Sequence, residues 1–193
     1  MIRQALRPAL TLLAAFTVLL GLVYPALVTA VLQGAFPQQS QGSLIYDATG
    51  RLMGSSLIGQ SFSAPGYFWS RPSATMMVPY NAAASGASNW GMNAPALLAD
   101  VAQRVTALRH VDPGNDSPVP VDLVTASASG LDPHITVAAA QYQLPRVARV
   151  RGMPVEQLRI LLAAHTTPRQ FGLLGEARVN VLELNMALDR NHQ

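Results

Sequence analysis

One run without a charged side chain limits what this chain can fold into more than any other feature. Between Ala9 and Leu32 the sequence contains only Ala, Leu, Val, Thr, Phe, Gly, Tyr and one Pro. As a helix, this run extends for about 36 Å, which exceeds the hydrocarbon core of a bilayer at about 30 Å. We expect a short segment at 1–8, a membrane-spanning helix at 9–32 and one globular domain at 33–193.

The charges beside this run predict its orientation. Arg3 and Arg7 precede it, and the first charge after it is Asp47. Cationic residues near a span are retained in the cytoplasm. We therefore expect a single-pass protein of the bacterial inner membrane, with 1–8 cytoplasmic and 33–193 periplasmic.

A cleaved signal peptide is the alternative interpretation of the same run. Residues 28–30 resemble the small-residue cleavage pattern, and cleavage after Ala30 would release a secreted binding module. The apolar run is longer than the usual signal-peptide core of about 7–15 residues, which favours the retained anchor.

Composition excludes several functional classes. The net charge is +3, and without Arg3 and Arg7 eleven arginines face ten acidic residues. These charges are scattered, so neither a nucleic-acid surface nor a polybasic lipid patch is indicated. The chain has no cysteine, no lysine and no phosphate-binding glycine motif, which excludes disulfides, thiolate metal sites and a self-contained nucleotide site. We expect no cofactor bound by this chain alone.

The remaining sequence predicts a single mixed α+β domain in which helices outnumber strands. Residues 63–93 show no regular period and contain scattered aromatics, which indicates an ordered loop. Strands are expected at 44–46 and 51–53 around a turn at Gly50, with an extension over 55–62, and at 119–125. Helices are expected at 95–108, 132–142, from 145, at 154–162 and after 180. Asp132 is the expected cap of the second helix, with Pro133 in its first turn.

Four small residues in the apolar run suggest a contact with another helix. Thr17, Gly21, Pro25 and Thr29 are spaced four apart, and small residues let membrane helices approach closely. Pro25 removes one backbone donor and is expected to kink the helix. The alternative is that such residues are simply tolerated in membrane helices. One apolar helix cannot hold an ion, so any transported ion is carried by other chains.

Ser127, Ser129, Asp132 and His134 are the nearest approach to a hydrolase site. The G-x-S-x-G motif of a nucleophile elbow is absent, and a helix cap is the commoner role for Asp132.

Two other clusters of polar residues are explained without a functional role, and we favour that interpretation. His110, Asp112 and Asp116 lie in a loop without regular metal-ligand spacing, which indicates a solvated loop. The basic cluster consists of Arg146, Arg149 and Arg151. It could bind an anion or the carboxylates of a partner, but we slightly favour a solvated helix face.

Several stretches resemble the KdpC family, the C subunits of Kdp potassium-transporting ATPases. They occur in order along nearly the whole chain, at 7–10, 23–25, 57–62, 67–74, 80–81, 85–89, 124–132, 145–148 and 179–185. The run Val-Thr-Ala-Ser-Ala-Ser-Gly-Leu-Asp at 124–132 is too long for a chance match. The sequence departs from the family pattern between Ala87 and Pro95.

The resemblance implies a non-catalytic accessory subunit of an ATP-driven potassium importer. Its partners would be a channel-like potassium-binding subunit, a P-type ATPase subunit and a small one-helix subunit, together with inner-membrane lipids. Family members are needed for assembly and are described as catalytic chaperones that raise the ATP affinity of the ATPase subunit. A role for ATP is implied only by this resemblance, and only in the complex with the ATPase subunit. Because ATP is cytoplasmic and this domain is expected outside, such an effect would be indirect.

The resemblance, the polar segments and the small-residue stripe of the apolar run together give a set of candidate partner-contact residues, and no catalytic residue or metal ligand. The set is Thr17, Gly21, Pro25, Arg71, Pro72, Ser73, Tyr80, Asn81, Ser88, Asn89, Ser127, Ser129 and Asp132. The rival interpretation is a membrane-tethered periplasmic hydrolase that uses Ser129, Asp132 and His134.

Overall fold

The structure is a computed structural model that describes residues 2–190, with side chains from residue 4 onward. It divides into two compact units, one ending at Leu44 and the other beginning at Ile45.

The first unit is dominated by one long apolar helix. It contains α1 (Ile2–Val18), a π turn (Leu19–Val23), α2 (Tyr24–Ala35) and the short α3 (Pro37–Ser40). Between Gln4 and Ala35 the helix is continuous, and it is long and apolar enough to cross a bilayer. Its apolar side chains are exposed, as expected of a helix whose surroundings are lipid.

The π turn explains how this helix accommodates Pro25. Proline has no N–H to donate to the carbonyl of Gly21, and its ring crowds that carbonyl. In the turn just before it, the N–H of Tyr24 donates to the carbonyl of Leu19, five residues back instead of four. Where the sequence predicts a kink at Pro25, the structure has a wider turn.

The globular domain begins with the predicted hairpin. Strands β1 (Leu44–Tyr46) and β2 (Leu52–Ser55) pair with each other. In the turn, the carboxylate of Asp47 accepts from the N–H groups of Thr49 and Arg51, both at 2.9 Å. Gly50 has φ +81°, which glycine adopts without strain.

Four helices and a three-stranded sheet form the rest of the domain. The helices are α4 (Pro95–Val111), α5 (Val137–Arg151), α6 (Val155–Ala164) and α7 (Val181–Arg190). The sheet has the order β3 (His134–Thr136), β5 (Arg178–Asn180), β4 (Thr166–Thr167), and both pairings are antiparallel. Helices and sheet enclose an apolar core that includes Phe68, Ile135, Val147, Leu158, Val179, Leu184 and Leu188. The predicted α+β class is confirmed.

Two predicted strands are wrong. The extension over 55–62 is a turn, because the Ser55 hydroxyl and carbonyl accept from the N–H groups of Leu57 and Ile58. Residues 119–125 contain a 3₁₀ turn, Val121–Leu123. This turn buries Asp122, whose carboxylate accepts from the Thr136 N–H at 2.7 Å.

Two helix boundaries are also wrong. Asp132 and Pro133 do not begin a helix, since residues 134–136 pair in the sheet and Thr136 caps α5 instead, accepting from the Ala139 N–H at 3.0 Å. No new helix begins at Pro145. It lies inside α5, whose buried face continues to Ala148 and whose end is set by Gly152 at φ +64°.

Two buried amides hold the long loop between β2 and α4 against the helices. Asn185 of α7 accepts from the Phe68 N–H and donates to the Phe68 carbonyl, both at 2.9 Å. Gln143 of α5 does the same for Trp69, at 2.7 and 3.1 Å. The two amides are 1–2 % exposed. This amide clamp, Gln143 and Asn185, replaces the neighbouring strands that the loop lacks.

Arginines of α5 bind the adjacent carbonyls. Arg146 donates to the carbonyls of Pro65 and Tyr67 and stacks 4.9 Å from the Trp69 ring centroid. Burial lowers its pKa to about 10, so it remains charged at neutral pH. Arg151 donates to the Gly66 carbonyl at 2.8 Å. The interpretation of this cluster as a solvated face is therefore wrong for Arg146 and Arg151.

Removing one arm of the amide clamp should destabilise the domain. Asn185→Ala leaves a buried N–H and a buried carbonyl of Phe68 without partners, so we expect the free energy of unfolding to fall by about 2–4 kcal/mol. Denaturant unfolding of the full chain in detergent, followed by tryptophan fluorescence, measures this. The control Asn93→Ala changes an exposed amide in the same loop and should change the value by less than about 0.5 kcal/mol. Equal effects of the two substitutions would contradict the role of the clamp.

Candidate functional site

Two segments carry most of the predicted contact residues, and the structure brings them together. Residues 70–93 and 126–134, here called the loop platform, are joined by hydrogen bonds between residues more than forty positions apart. The Ser73 hydroxyl donates to the Gly130 carbonyl at 2.7 Å. The Gly86 N–H and the Ser85 hydroxyl both donate to the Ser129 carbonyl, at 2.9 and 3.0 Å.

Ser73 and Thr75 organise the first segment. The Tyr80 N–H donates to the Ser73 hydroxyl at 2.9 Å, and the Asn81 N–H donates to the Thr75 hydroxyl at 3.1 Å. The Asn81 amide oxygen then caps the short 3₁₀ turn Ala82–Ala84. The predicted residues Ser73 and Asn81 thus use polar groups to shape the loop itself.

The second segment is fixed by a glycine turn. Gly130 has φ +67°, and a Cβ at this position would lie 2.6 Å from Cγ2 of Thr75 and 2.7 Å from the Gly86 carbonyl oxygen. The Gly130 N–H donates to the Ser127 hydroxyl at 2.9 Å, and the Leu131 N–H to the Ser129 hydroxyl at 3.2 Å. Only glycine allows this close approach of the two segments.

An ion pair connects the segments at one end of the loop platform. Arg71 donates to the Asp132 carboxylate at 3.0 Å, and the other carboxylate oxygen accepts from the His134 N–H, also at 3.0 Å. Burial alone would raise the pKa of Asp132, but the hydrogen bonds from His134 and Arg71 outweigh it and lower the pKa to about 2. The Tyr80 hydroxyl donates to the Arg71 carbonyl at 2.6 Å, and burial raises the pKa of Tyr80.

The geometry gives no support to serine hydrolysis. Nδ1 of His134 lies 3.2 Å from the Asp132 carboxylate, as in an acid–base pair. Within the described residues, however, neither Ser127 nor Ser129 hydrogen-bonds to His134, and their hydroxyls lie 3.4 Å from each other. A nucleophile needs a base within hydrogen-bond reach.

The outward side of the loop platform is apolar, which the sequence reasoning missed. Met77 and Met92 are each 88 % exposed, and Met76, Val78 and Trp90 are also exposed. Met77 has φ +68°, an uncommon value for a residue other than glycine. The signal in the sequence was an apolar Met-Met-Val run inside a polar, proline-rich loop. Methionine side chains are adaptable, which suits them to contacts with other proteins.

Of the remaining predicted residues, Pro72 and Ser88 line two depressions beside this surface, and Asn89 lines neither. Pro72 and Tyr80 border a cavity of about 380 Å³ together with Phe62, Trp69 and Arg104. Ser88 borders a second cavity of about 350 Å³, shared with Ser73 and Trp90. Asn89 has φ +54° and bonds only to its own loop among the described residues.

The π turn changes the geometry of the small-residue stripe in the apolar helix. In an uninterrupted α-helix, Thr17 and Thr29 would lie about 120° apart around the axis. A π turn takes up one extra residue and rotates the following helix back by about 100°. Thr17 and Thr29 therefore lie within about 20° of each other, and the stripe that includes Gly21 and Pro25 follows one face.

The acidic loop after α4 is not arranged as a metal site. Asp112 is buried and accepts from Arg149 at 2.7 Å and from Asn115 at 3.2 Å. No group of three acidic or histidine side chains that would hold a metal occurs among the described residues.

The ion pair between Arg71 and Asp132 makes the stability of the folded protein depend on pH. The pKa of Asp132 in the folded protein lies below the value of about 3.9 expected in the unfolded chain. Its stabilisation is therefore present above pH 4 and is lost as the pH falls towards 2. In this window wild type should lose about 1–2 kcal/mol more unfolding free energy than Asp132→Asn, after allowance for solvent screening. Denaturant unfolding at stepped pH measures this. Asp116→Asn, at an exposed carboxylate, should retain the wild-type slope; a wild-type slope in Asp132→Asn would contradict the assignment.

Comparison with known proteins gives the chain a family. The family described as "KdpC: K+-transporting ATPase, c chain" matches residues 6–190. The protein from Polaromonas naphthalenivorans (strain CJ2) named "Potassium-transporting ATPase KdpC subunit" is 60 % identical over 187 residues, covering 97 % of this chain and 95 % of its own length. A protein of the same name from Herpetosiphon aurantiacus is 58 % identical over 188 residues and 97 % of both chains. The chain belongs to the KdpC family of potassium-transporting ATPase subunits.

Proposed function

We propose that this chain is a non-catalytic accessory subunit that joins an ATP-driven potassium importer and is needed for its assembly. Its partners are the channel-like potassium-binding subunit, the P-type ATPase subunit and the small one-helix subunit. The observation that carries the proposal is the loop platform, in which the polar groups of the predicted contact residues are used internally while methionines face outward. A surface of this kind is suited to binding a protein rather than to chemistry.

The proposed placement is the bacterial inner membrane with the domain on the periplasmic side. Arg3 and Arg7 precede the apolar helix, and cationic flanks are retained in the cytoplasm. In this orientation the loop platform would meet the channel-like subunit from outside. The small-residue face around Gly21 would pack against a membrane helix of a partner.

Any effect on ATP affinity is proposed to be indirect. A periplasmic domain does not reach a nucleotide in the cytoplasm. The effect would therefore be a coupling free energy, carried by the membrane helices or by the transport subunit. ATP would bind the ATPase subunit and would not contact the domain of this chain.

Purification of the tagged full chain from potassium-starved cells tests the assembly role. In mild detergent, wild type should recover a P-type ATPase and a large multi-span protein. The double variant Met77→Asp, Met92→Asp should reduce this recovery at least about tenfold, because a charge would be desolvated at the contact. Aspartate also tolerates the positive φ of residue 77. The control Val121→Asp changes an exposed apolar residue elsewhere and should recover both partners.

Two results would contradict the proposal. Recovery of anchored wild-type chain without partners would remove the subunit role. Full recovery by the double variant would place the contact away from the loop platform.

A second substitution tests the small-residue face. Gly21→Leu puts a bulky side chain where close helix approach is proposed, so we expect weaker recovery of the partner subunits, by about five- to tenfold. Val23→Leu, on roughly the opposite side of the helix, is the matched control and should leave recovery unchanged. Equal recovery with both variants would show that this face is not a contact.

A further inference from the structure

The hairpin between β4 and β5 ends in an exposed apolar tip. Phe171 and Leu173 are 83 % and 80 % exposed, and Leu174 is also exposed. The backbone of this tip is ordered by its own bonds: Gln170 and Leu174 exchange N–H to carbonyl bonds of 2.9 Å each way. The tip therefore projects three large apolar side chains that do not pack into the core.

Two arginines whose side chains form no ion pair with a described residue flank the tip at the base of the hairpin. Arg169 precedes the tip, and Arg178 follows it in β5. The guanidinium group of neither arginine forms an ion pair or a hydrogen bond among the described residues, although both backbones are hydrogen-bonded. Most arginines of the domain do form ion pairs, namely Arg51, Arg71, Arg104, Arg149, Arg151 and Arg159. Glu176 is the acid in the same segment, so the base of the hairpin carries a net positive charge of one.

We propose that the apolar tip, Phe171, Leu173 and Leu174, inserts into the interface of the lipid bilayer, with Arg169 and Arg178 at the level of anionic headgroups. The apolar side chains would lie among the lipid acyl chains and the arginines among the headgroups, which matches the two layers of that interface. A polybasic patch is not needed, because residues 36–44 join the domain to the apolar helix and keep the tip at high effective concentration near lipid.

Area and chemistry favour lipid over a protein partner at this tip. A stable protein interface buries about 1,200–2,000 Å², far more than three side chains on a narrow hairpin provide. Gln170 is the one polar side chain between Arg169 and Glu176, so the tip offers few groups for specific recognition. The loop platform differs in both respects, because it offers a larger surface and has many hydrogen-bonding residues around its methionines.

The absence of cysteine allows a direct test on the full chain. Leu173→Cys and the control Met77→Cys are labelled separately with an environment-sensitive fluorophore and placed in nanodiscs of phosphatidylcholine and phosphatidylglycerol. Nitroxide-bearing lipids should quench the label at residue 173 at least about twofold more than that at residue 77. Adding Arg169→Gln and Arg178→Gln should reduce the difference, as should nanodiscs without phosphatidylglycerol.

Equal quenching at residues 173 and 77 would overturn the proposal. So would a label at residue 173 that lipid does not quench but that becomes shielded in the assembled complex, since the tip would then bind a protein. The proposal rests only on the membrane anchor of the proposed function. Co-elution of the chain with nanodiscs reports that anchor separately, so failure of the tip and failure of the anchor are distinguishable.

Discussion

The position of the long loop depends on the amide clamp. Residues 56–94 contain no α-helix or strand, yet Phe68 is fully buried and brings its backbone polar groups into the core with it. Gln143 and Asn185 supply the missing hydrogen bonds from two different helices. The loop is therefore tied to α5 and α7 at once, and neither helix can shift without breaking buried bonds.

The loop platform follows from this attachment along the chain. Immediately after Trp69, the Ser70 hydroxyl donates to the Gln60 carbonyl at 2.7 Å, and Arg71 reaches Asp132. The Tyr80 hydroxyl donates a hydrogen bond back to the Arg71 carbonyl. Each bond joins the loop either to itself or to the turn before β3. The outward methionines are thus presented by a framework whose hydrogen bonds are made within the chain, although Nε of Arg71 is buried without a partner among the described residues.

What the sequence predicted well is what is encoded locally. The helices 155–164 and 181–190 bury apolar residues at helical spacing, and the helix 95–111 packs Val101, Val105 and Leu108 against the core. The first hairpin is encoded by Asp47 and Gly50. The errors at 119–125 and 132–136 come from Asp122 and Asp132, whose carboxylates bind groups 14 and 61 residues away. Local pattern does not show such bonds. The polar residues of the candidate site were found through the family resemblance, whereas exposed apolar residues such as Met77 and Phe171 have no periodicity to reveal them.

The proposed accessory role limits how this chain would act on an ATPase. A subunit that binds every conformation of its partner equally stabilises the complex but changes no equilibrium within it. An effect on ATP affinity therefore needs contacts that differ between the states of the partner. In this chain the apolar helix has no charged residue between Thr11 and Ala35, so its proposed share of any such difference would come from packing along the Gly21 face. The domain's share would come from the methionines of the loop platform, because the ion pair and hydrogen bonds behind them join residues of this chain to one another.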